Sequence, residues 1–424
     1  MARAALSVRG PFRDAGSARF PALRHGDYRR YVLGQGISLI GFWMQSVAQS
    51  WLVYRLSGSE LALGTVAFVA YLPVLCFAPL AGVVADRVNK WRLILFTQSA
   101  AMLLAFALGV LVAAGAATVP LVTVFACALG AVGAVDLPTR QAFIVEMVGS
   151  EDLPSAIAMN ASIFSTARVI GPAIAGTMVA TLGEAPCFFL NGASYLAVLW
   201  ALAGMRLGNR PLPMARHGRR DLRSGLRYVR RQPAQAALLI CLGLVSALSL
   251  SASVLMPSLA QRTFGRGASG YGLLLTAYGT GAVLSSLRLA SRQYTRAQHR
   301  WMLLGGLGVF GLGLLGVAAS PVFPAALAGQ FVAGLGMVSF TATTNTLIQL
   351  LVHDDYRGRV MGLHTVMFMG LAPFGSLFLG ALAEPFGARV ALVVSGAAPL
   401  VALAILIRRR DLADARPPAA VVGY

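Results

Sequence analysis

Three charged residues, Asp136, Arg140 and Arg168, interrupt long apolar stretches of the sequence. In lipid, a charged side chain costs about 2.5–3.5 kcal/mol on insertion scales, so a charge kept there is a candidate functional residue. Asp136 precedes the turn near Glu151 by 15 residues, and Arg168 follows that turn by 17. At 1.5 Å per residue, both would lie about 22–26 Å along neighbouring helices. Arg140 lies one turn from Asp136 on the same helical face. We therefore expect one network of three charges that faces a cavity.

The chemistry of such a network favours a structural or gating role. Two guanidinium groups beside one carboxylate stabilise its ionised form, which opposes easy proton transfer. A role in coupling or substrate binding is the alternative. Glu146, nearer the end of the same apolar stretch, is a second candidate acid.

Uncharged polar side chains within the apolar stretches are candidate cavity residues. They are Gln35, Gln45, Gln49, Asn160, Asn345 and His364. Such groups can bind a polar substrate, but they can equally form hydrogen bonds between helices. A lone histidine in an apolar stretch is also more often a packed residue than a titrating one. The sequence leaves both interpretations open.

Signatures of catalysis, metal binding and nucleotide hydrolysis are missing from the sequence. Lys90 is the only lysine, and it lies between Asn89 and Trp91, so it cannot end a phosphate-binding Gly-Lys-Ser/Thr loop. Five scattered histidines and four isolated cysteines have no metal-binding or disulfide spacing. Two Gly-x-Gly-x-x-Gly matches, at 306–311 and 311–316, lie within one apolar stretch and indicate helix packing. We therefore expect neither an enzyme nor a cofactor or metal.

The elements that position these residues must be membrane-spanning helices. Of the 424 residues, 57% are hydrophobic and 12% are charged, against about 25% charged in soluble domains. A spanning helix needs about 20 apolar residues, and long runs without strand alternation favour helices over a barrel. The predicted spans are 31–54, 61–85, 93–115, 119–148, 154–181, 186–206, 233–261, 269–291, 301–319, 322–351, 358–382 and 386–407.

The arginines predict how these twelve spans are oriented. The formal net charge is +20, from 35 basic and 15 acidic residues. With the N-terminus in the cytoplasm and Arg140 counted on that side, 30 basic residues are inside, four are outside and Arg168 lies in a span. This distribution follows the positive-inside rule, so the charge reflects topology and argues against a nucleic-acid partner. Residues 1–30 also lack the apolar segment of a cleavable signal.

The longest polar stretch, 207–232, divides the chain into two similar halves. Ile144–Asp152 aligns with Leu347–Asp355 at an offset of 203, and Pro172 aligns with Pro373 at an offset of 201. Parallel repeats of this kind are typical of transporters. The predicted organisation is a cytoplasmic tail (1–30), a six-helix bundle (31–206), a cytoplasmic linker (207–232), a second six-helix bundle (233–408) and a cytoplasmic tail (409–424).

The loop after the second span carries a motif. It reads Gly82-Val-Val-Ala-Asp86-Arg87-Val-Asn89-Lys90-Trp-Arg92 and resembles the signature loop of the major facilitator superfamily. Asn89 replaces a glycine of that signature, and Trp91 separates its basic pair. Because Asn tolerates the left-handed conformation, we expect the turn to be kept. Gly82 would permit close helix approach. Asp86 would lie at the positive N-terminus of the helix that starts near Gly358, which would hold the cytoplasmic side shut in one state.

The chain also resembles one branch of that superfamily, the enterobactin-exporter-like permeases or transmembrane secretion effectors, over about residues 20–410. The resemblance is carried by Trp43-Met-Gln45, Asp136-Leu-Pro-Thr-Arg140-Gln and Ala167-Arg168-Val-Ile-Gly171-Pro172-Ala-Ile-Ala-Gly176. The last segment is similar to the fifth-helix motif of antiporters, with one glycine where many members have two. Its Gly and Pro residues predict a helix bend. The resemblance implies two helix bundles, alternating access, a central cavity and, commonly, export driven by protons.

Together these observations predict an all-α polytopic protein with the major facilitator fold, two pseudo-symmetric six-helix bundles in the bacterial inner membrane with both termini cytoplasmic. The predicted function is secondary active export of a small amphipathic molecule, such as a siderophore or drug, in exchange for protons. One alternative is an uptake or lipid-translocating permease of the same fold. Another is a membrane sensor or scaffold that transports nothing.

Overall fold

The computed structural model describes residues 20–205, 222–291 and 294–409, apart from the side chains of residues 78–87, 222–223, 296 and 354. Most of the two predicted tails, residue 206 of the first predicted bundle and residues 207–221 of the predicted linker therefore lie outside the description. A short 3-10 helix, Pro21–Arg24, precedes the first long helix.

Twelve long helices and one short helix make up the described part of the chain, in which no strand occurs. They are α1 (Gly26–Ser57), α2 (Glu60–Arg87), α3 (Lys90–Ala113), α4 (Val119–Val148), α5 (Leu153–Leu182), α6 (Ala185–Ala203), the short α7 (Leu222–Arg230), α8 (Pro233–Thr263), α9 (Gly267–Ala290), α10 (Arg296–Ala319), α11 (Phe323–Leu351), α12 (Asp355–Phe386) and α13 (Ala388–Arg408). α8 and α12 contain π-helical turns at Leu259–Thr263 and Val366–Gly370.

Local sequence explains where several helices begin and end. Gly58 ends α1 with a left-handed φ of 62°, and its N–H donates to the Tyr54 carbonyl, a conformation that glycine adopts without strain. The Thr118 side chain caps α4 by accepting from the Leu121 N–H. Thr295 and Gln298 form a reciprocal capping box at the start of α10. These signals separate runs of similar composition into individual helices.

The helices are suited to a bilayer. Eleven of the described helices are long and apolar enough to cross a membrane. The remaining long helix, α1, is less apolar, but it is 32 residues long and packs against α5 and α6. Large apolar side chains point outwards, and Phe96, Trp200 and Trp301 are each more than 70% exposed. Such a surface fits lipid rather than water. The predicted helical membrane fold is confirmed.

The predicted spans differ from the helices by at most five residues at any end. The largest differences are at α1, which begins at Gly26 rather than 31, and at α10, which begins at Arg296 rather than 301. Arg140 lies within α4, and its place among the cytoplasmic arginines stays a prediction. Polar first turns are helical here because backbone hydrogen bonding does not stop where apolarity stops.

The same packing pattern occurs in both halves of the chain. In the first half, α1 packs on α6, α2 on α4, and α3 on both α4 and α6. In the second half, α8 packs on α13, α9 on α11, and α10 on both α11 and α13. The pair α1–α6 thus corresponds to α8–α13, and α2–α4 corresponds to α9–α11, as parallel repeats require. Helices α2 and α5 of the first half meet α12 and α9 of the second.

Candidate functional site

Two glycine contacts join the halves of the molecule. We call the side of the bundle where α1 begins and α13 ends the terminal side, and the opposite side the far side. In the α5–α9 contact, a Cβ on Gly176 would lie 2.8 Å from the Cα of Gly272. In the α2–α12 contact, a Cβ on Gly64 would lie 3.3 Å from the Cα of Gly380. The backbones of the two halves therefore touch directly, which only small residues allow.

The far-side polar cluster lies beside these contacts. It consists of Glu60 and Ser59 of the first half and Ser258, Arg262 and Glu384 of the second. The Arg262 guanidinium donates to both Glu60 carboxylate oxygens, at 2.9 and 3.2 Å, and the Ser258 hydroxyl donates to one of them. Glu60 is 1% exposed. We call the surface on which the two halves meet the seam. A buried carboxylate bonded across this seam holds the halves together more firmly than a solvated pair would.

Glu384 makes a second polar link across the seam. Its carboxylate accepts from the Ser59 hydroxyl and from the Leu61 backbone N–H, both at 2.9 Å. The acid therefore lies at the N-terminus of α2, where the unpaired backbone N–H groups favour a negative charge. Two carboxylates from opposite halves thus tie down the same end of α2.

The described polar contacts on the terminal side join helices of the same half. His25 is bonded to Asp152 at 2.8 Å, and Lys90 is bonded to Glu146 at 2.7 Å. In the second half, the Gln235 amide donates to the Leu351 carbonyl at 2.8 Å. The cross-half contacts described above lie instead in the far-side portions of their helices.

The signature loop is described in part. Asn89 has φ of −59° and caps α3, because its side chain accepts from the Arg92 N–H at 3.2 Å. The expected left-handed turn at Asn89 is therefore wrong: Asn serves here through its capping oxygen. The side chains of Gly82, Asp86 and Arg87 lie outside the description, so the contact of Asp86 near Gly358 stays a prediction.

Asp136 lies in a paired polar network inside the first half. Its carboxylate binds Arg140 one turn along α4 and accepts from Thr97 at 2.7 Å and from the Gln98 amide at 2.9 Å. Arg140 also hydrogen-bonds Tyr31 of α1. Asp136 is 3% exposed. With three partners the carboxylate is satisfied, as a buried charge must be.

Arg168 lies elsewhere. Its guanidinium carbon is 5.7 Å from the ring centre of Trp43 and 5.1 Å from that of Tyr278. Trp43 belongs to α1 and Tyr278 to α9, so Arg168 bridges the two halves. The predicted network of three charges is therefore divided between two places. Equal depth along neighbouring helices does not fix which face a residue occupies: position 136 faces α3, whereas position 168 faces α1 and α9.

The Gly171, Pro172 and Gly176 motif follows Arg168 on α5 and packs this part of the helix against α1 and α9. α5 is a continuous helix through Pro172, and the predicted bend stays a prediction. Gly171 packs against Trp43, whose Cβ would lie 2.5 Å from an added Cβ. Because Pro172 has no N–H, the Arg168 carbonyl loses its partner within the helix. That carbonyl lies against Gly279 of α9, 3.1 Å from where a Cβ would be.

The predicted cavity residues are dispersed. Gln45 accepts from the Asn191 amide at 2.6 Å, and Asn345 accepts from the Gln349 amide at 2.5 Å within its own helix. Gln45 is thus bonded between helices, as the hydrogen-bonding alternative holds, whereas the bond of Asn345 does not join two helices. Gln35 is buried, His364 stacks on Phe368, and Gln49 and Asn160 are half-buried on α1 and α5.

Sequence reasoning missed the residues that meet across the seam. Glu60 and Arg262 are 202 positions apart, and Tyr278 is 110 positions beyond Arg168. The one available signal was an acid at the start of a span, Glu60, combined with a basic residue on the same predicted side, Arg262. Aromatic residues are too common in such helices to have indicated Tyr278.

Comparison with known proteins gives the chain's relatives. A family model for the transmembrane secretion effector matches residues 17–416. The staphyloferrin A transporter of Staphylococcus aureus is 28% identical over 355 residues, covering 82% of this chain and 87% of that protein. The multidrug efflux pump Tap of Mycolicibacterium fortuitum is 25% identical over 369 residues, covering 84% of this chain and 87% of that protein.

Solved structures share the fold. A bacterial homologue of the human lysosomal transporter Spinster, inward-facing and unoccupied, aligns with a TM-score of 0.68 at 13% identity, covering 95% of this chain and 100% of that one. A bacterial homologue of the iron transporter ferroportin, in an inward-facing state, aligns with a TM-score of 0.66 at 18% identity, covering 90% and 98%. At these identities the likeness shows the fold alone.

Proposed function

Because the chain belongs to the transmembrane secretion effector family of major facilitator transporters, we propose that it exports a small amphipathic molecule by alternating access in exchange for protons. It is a multi-pass membrane transporter of small molecules and not an enzyme. One relative is a siderophore transporter and another a multidrug efflux pump. Both names support an organic substrate larger than an inorganic ion.

The observation that carries the proposal is the closure of the far side. Backbone contact at Gly176–Gly272 and Gly64–Gly380, together with the far-side polar cluster, joins the halves at that side. The excess of arginine on the terminal side supports placing that side, with both termini, in the cytoplasm of a bacterial inner membrane. The conformation is then the one closed to the outside, in which an exporter receives its substrate from the cytoplasm.

Proton exchange is proposed as the source of energy. The sequence holds no phosphate-binding Gly-Lys-Ser/Thr loop, so a gradient must drive uphill transport by this chain. Asp136 and Glu146 are the acids within α4 that could change protonation. Both have basic partners, Arg140 and Lys90, so protonation of either would release an arginine or lysine and change the balance between states.

The test is transport in proteoliposomes that contain a pH-sensitive dye. The purified chain is given an imposed proton gradient, and catecholate siderophores, organic carboxylates and lipophilic cations are then added in turn. Proton flux that begins only with one substrate, in the direction opposite to that substrate, supports proton-coupled export. Substrate movement without proton flux would favour a uniporter or lipid-type permease, and flux in the same direction would favour uptake. No movement of any compound would favour a sensor or scaffold.

A further inference from the structure

We propose that Arg168, Trp43 and Tyr278 form a binding site for the carboxylate of the transported molecule, so that the substrate is an anionic amphiphile. The inference rests on the proposed transport function and names its substrate class. It selects organic carboxylates over lipophilic cations.

The charge balance around Arg168 carries the first step. Arg140 is paired with Asp136, Arg55 with Glu184 and Arg262 with Glu60. Among the described residues, Arg168 contacts the rings of Trp43 and Tyr278 and forms no ion pair with a carboxylate. A guanidinium keeps its proton under all ordinary conditions, and a charge at this depth is costly without a partner. A bound anion would supply the counter-charge that no described carboxylate provides.

The hydrogen-bonding groups at the site are donors. The guanidinium has five N–H groups. The Tyr278 phenol lies beside the guanidinium, and its O–H can donate to a ligand. The Nε1 atom of Trp43 is buried and has no hydrogen-bond partner in the described part of the protein. A set of N–H and O–H donors without an acceptor is complementary to an anion, and a guanidinium fork matches the two oxygens of a carboxylate.

The surroundings favour an amphipathic ligand. Trp43 also packs edge-on against Phe164, with ring centres 5.7 Å apart. Tyr71 of α2 lies within electrostatic reach of Arg168 and is 53% exposed. Two aromatic rings therefore contact the cation, and Phe164 extends this aromatic surface beyond Trp43. An apolar or aromatic body attached to the carboxylate would find flat surfaces to stack on.

The position of the site links binding to movement of the halves. Arg168 and Trp43 belong to the first half and Tyr278 to the second. The Arg168 carbonyl touches Gly279, seven residues along α9 from the contact glycine Gly272. A carboxylate bound to both Arg168 and Tyr278 would have these partners together only while the α5–α9 seam is closed here. The ligand would then have different affinities in the two states, which is the condition for driving a conformational change.

The experiment is equilibrium binding to the full purified chain in nanodiscs of neutral lipid. The probes are 1-naphthoate, an apolar carboxylate, and tetraphenylphosphonium, an apolar cation. We expect Arg168→Gln to weaken naphthoate binding about 10–150-fold, since one hydrogen bond to a charged group contributes about 1.5–3 kcal/mol. Arg168→Lys keeps the charge but loses the fork and should weaken binding less. Tyr278→Phe should also weaken it about tenfold or more, since the lost O–H bond is likewise one to a charged group.

Arg359→Gln is the matched control. Arg359 also lies over a tyrosine ring, 5.3 Å from the centre of Tyr356, but within the second half. Its substitution should leave naphthoate affinity unchanged. If Arg168→Gln fails to fold, Arg168→Lys and Tyr278→Phe still decide the question. Equal naphthoate affinity in these variants, or tighter binding of tetraphenylphosphonium than of naphthoate by the wild type, would overturn the proposal.

Two further outcomes separate this inference from its alternatives. Replacing the neutral lipid with phosphatidylglycerol tests a lipid headgroup, and complete displacement of naphthoate by that lipid would overturn the assignment to a carboxylate substrate. Binding of naphthoate that depends on Arg168, without transport in proteoliposomes, would support the site and contradict the proposed export. Transport of a carboxylate that is indifferent to Arg168 would support export and contradict the site.

Discussion

Asp136 with Arg140, and Arg168 alone, are two ways of placing charge within the same set of helices. The first is balanced: the carboxylate has a guanidinium, a hydroxyl and an amide as partners, all on α3 and α4. The second is unbalanced and lies between the halves, among aromatic rings. A charge satisfied within one half stabilises the packing of that half as long as the pair stays ionised. A charge without a counter-ion at the seam is available to bind an anionic ligand.

The largest effect that would test this contrast comes from removing the acid of the balanced pair. Asp136→Leu leaves Arg140 buried without its counter-charge, and breaking a buried pair in this way costs about 3–5 kcal/mol. We expect a large loss of folded protein in detergent, measured by size-exclusion chromatography and thermal unfolding. Asp136→Asn keeps the hydrogen-bonding capacity and should lose clearly less. Normal stability of Asp136→Leu would show that the pair is not the structural element described here.

The next effect concerns the glycine contact beside Arg168. Gly272→Leu places a side chain against the backbone of α5, where an added Cβ would already lie 2.6 Å from the Gly176 Cα. Overpacking of this kind costs about 1–3 kcal/mol, and it should separate the halves on the far side. Spin labels at positions 57 and 261, in a background without the four native cysteines, would report a longer distance.

Gly305→Leu is the control for that prediction. Gly305 lies within α10, and nothing lies within 4 Å of the position of its Cβ. The substitution adds the same side chain without a clash, so the labelled distance should be that of the wild type. An equal change in both variants would mean that the α5–α9 contact does not hold the far side closed.

A smaller effect is expected from the pair that crosses the seam. Glu60→Gln keeps an acceptor oxygen but removes the charge that faces Arg262. The bond falls from about 1.5–3 kcal/mol to about 0.5–1.5 kcal/mol, a loss of about 1 kcal/mol. The same spin labels should show a new population with the far side open. Glu184→Gln breaks the Arg55–Glu184 pair, which lies within the first half, and should leave the distance unchanged. The comparison fails if both substitutions open the far side equally.

The smallest effect belongs to an uncharged pair inside one half. Gln45→Met removes the hydrogen bond between Gln45 and Asn191 while keeping side-chain length. Bonds between membrane helices contribute about 0.6 kcal/mol on average, so a small fall in the thermal midpoint is expected, without any change in naphthoate affinity. A loss of binding would instead place Gln45 in the substrate site.

The sequence predicted the elements much better than the contacts between them. The spans came from apolar runs, whose length is set by the bilayer and is visible residue by residue. The pairing of Asp136 with Arg140 was also predictable, because four positions on a helix fix a shared face. The place of Arg168 was not, since depth leaves the rotation of α5 about its axis undetermined. Asn89 shows a related difficulty: the residue type suits both a left-handed turn and a cap, and only the neighbouring Arg92 N–H decides between them.

The direct backbone contacts at Gly176–Gly272 and Gly64–Gly380 bear on how easily the halves can turn relative to each other. Where side chains interdigitate, rotation of one half against the other would have to pull ridges of side chains out of the facing grooves and lose their packing energy. The two glycine contacts lie at equivalent positions of the repeated halves. Glycine has no side chain that would have to be withdrawn there. We expect sliding of α5 on α9 and of α2 on α12 to meet a low barrier, so that the far-side polar cluster would limit the rate of any movement between the halves.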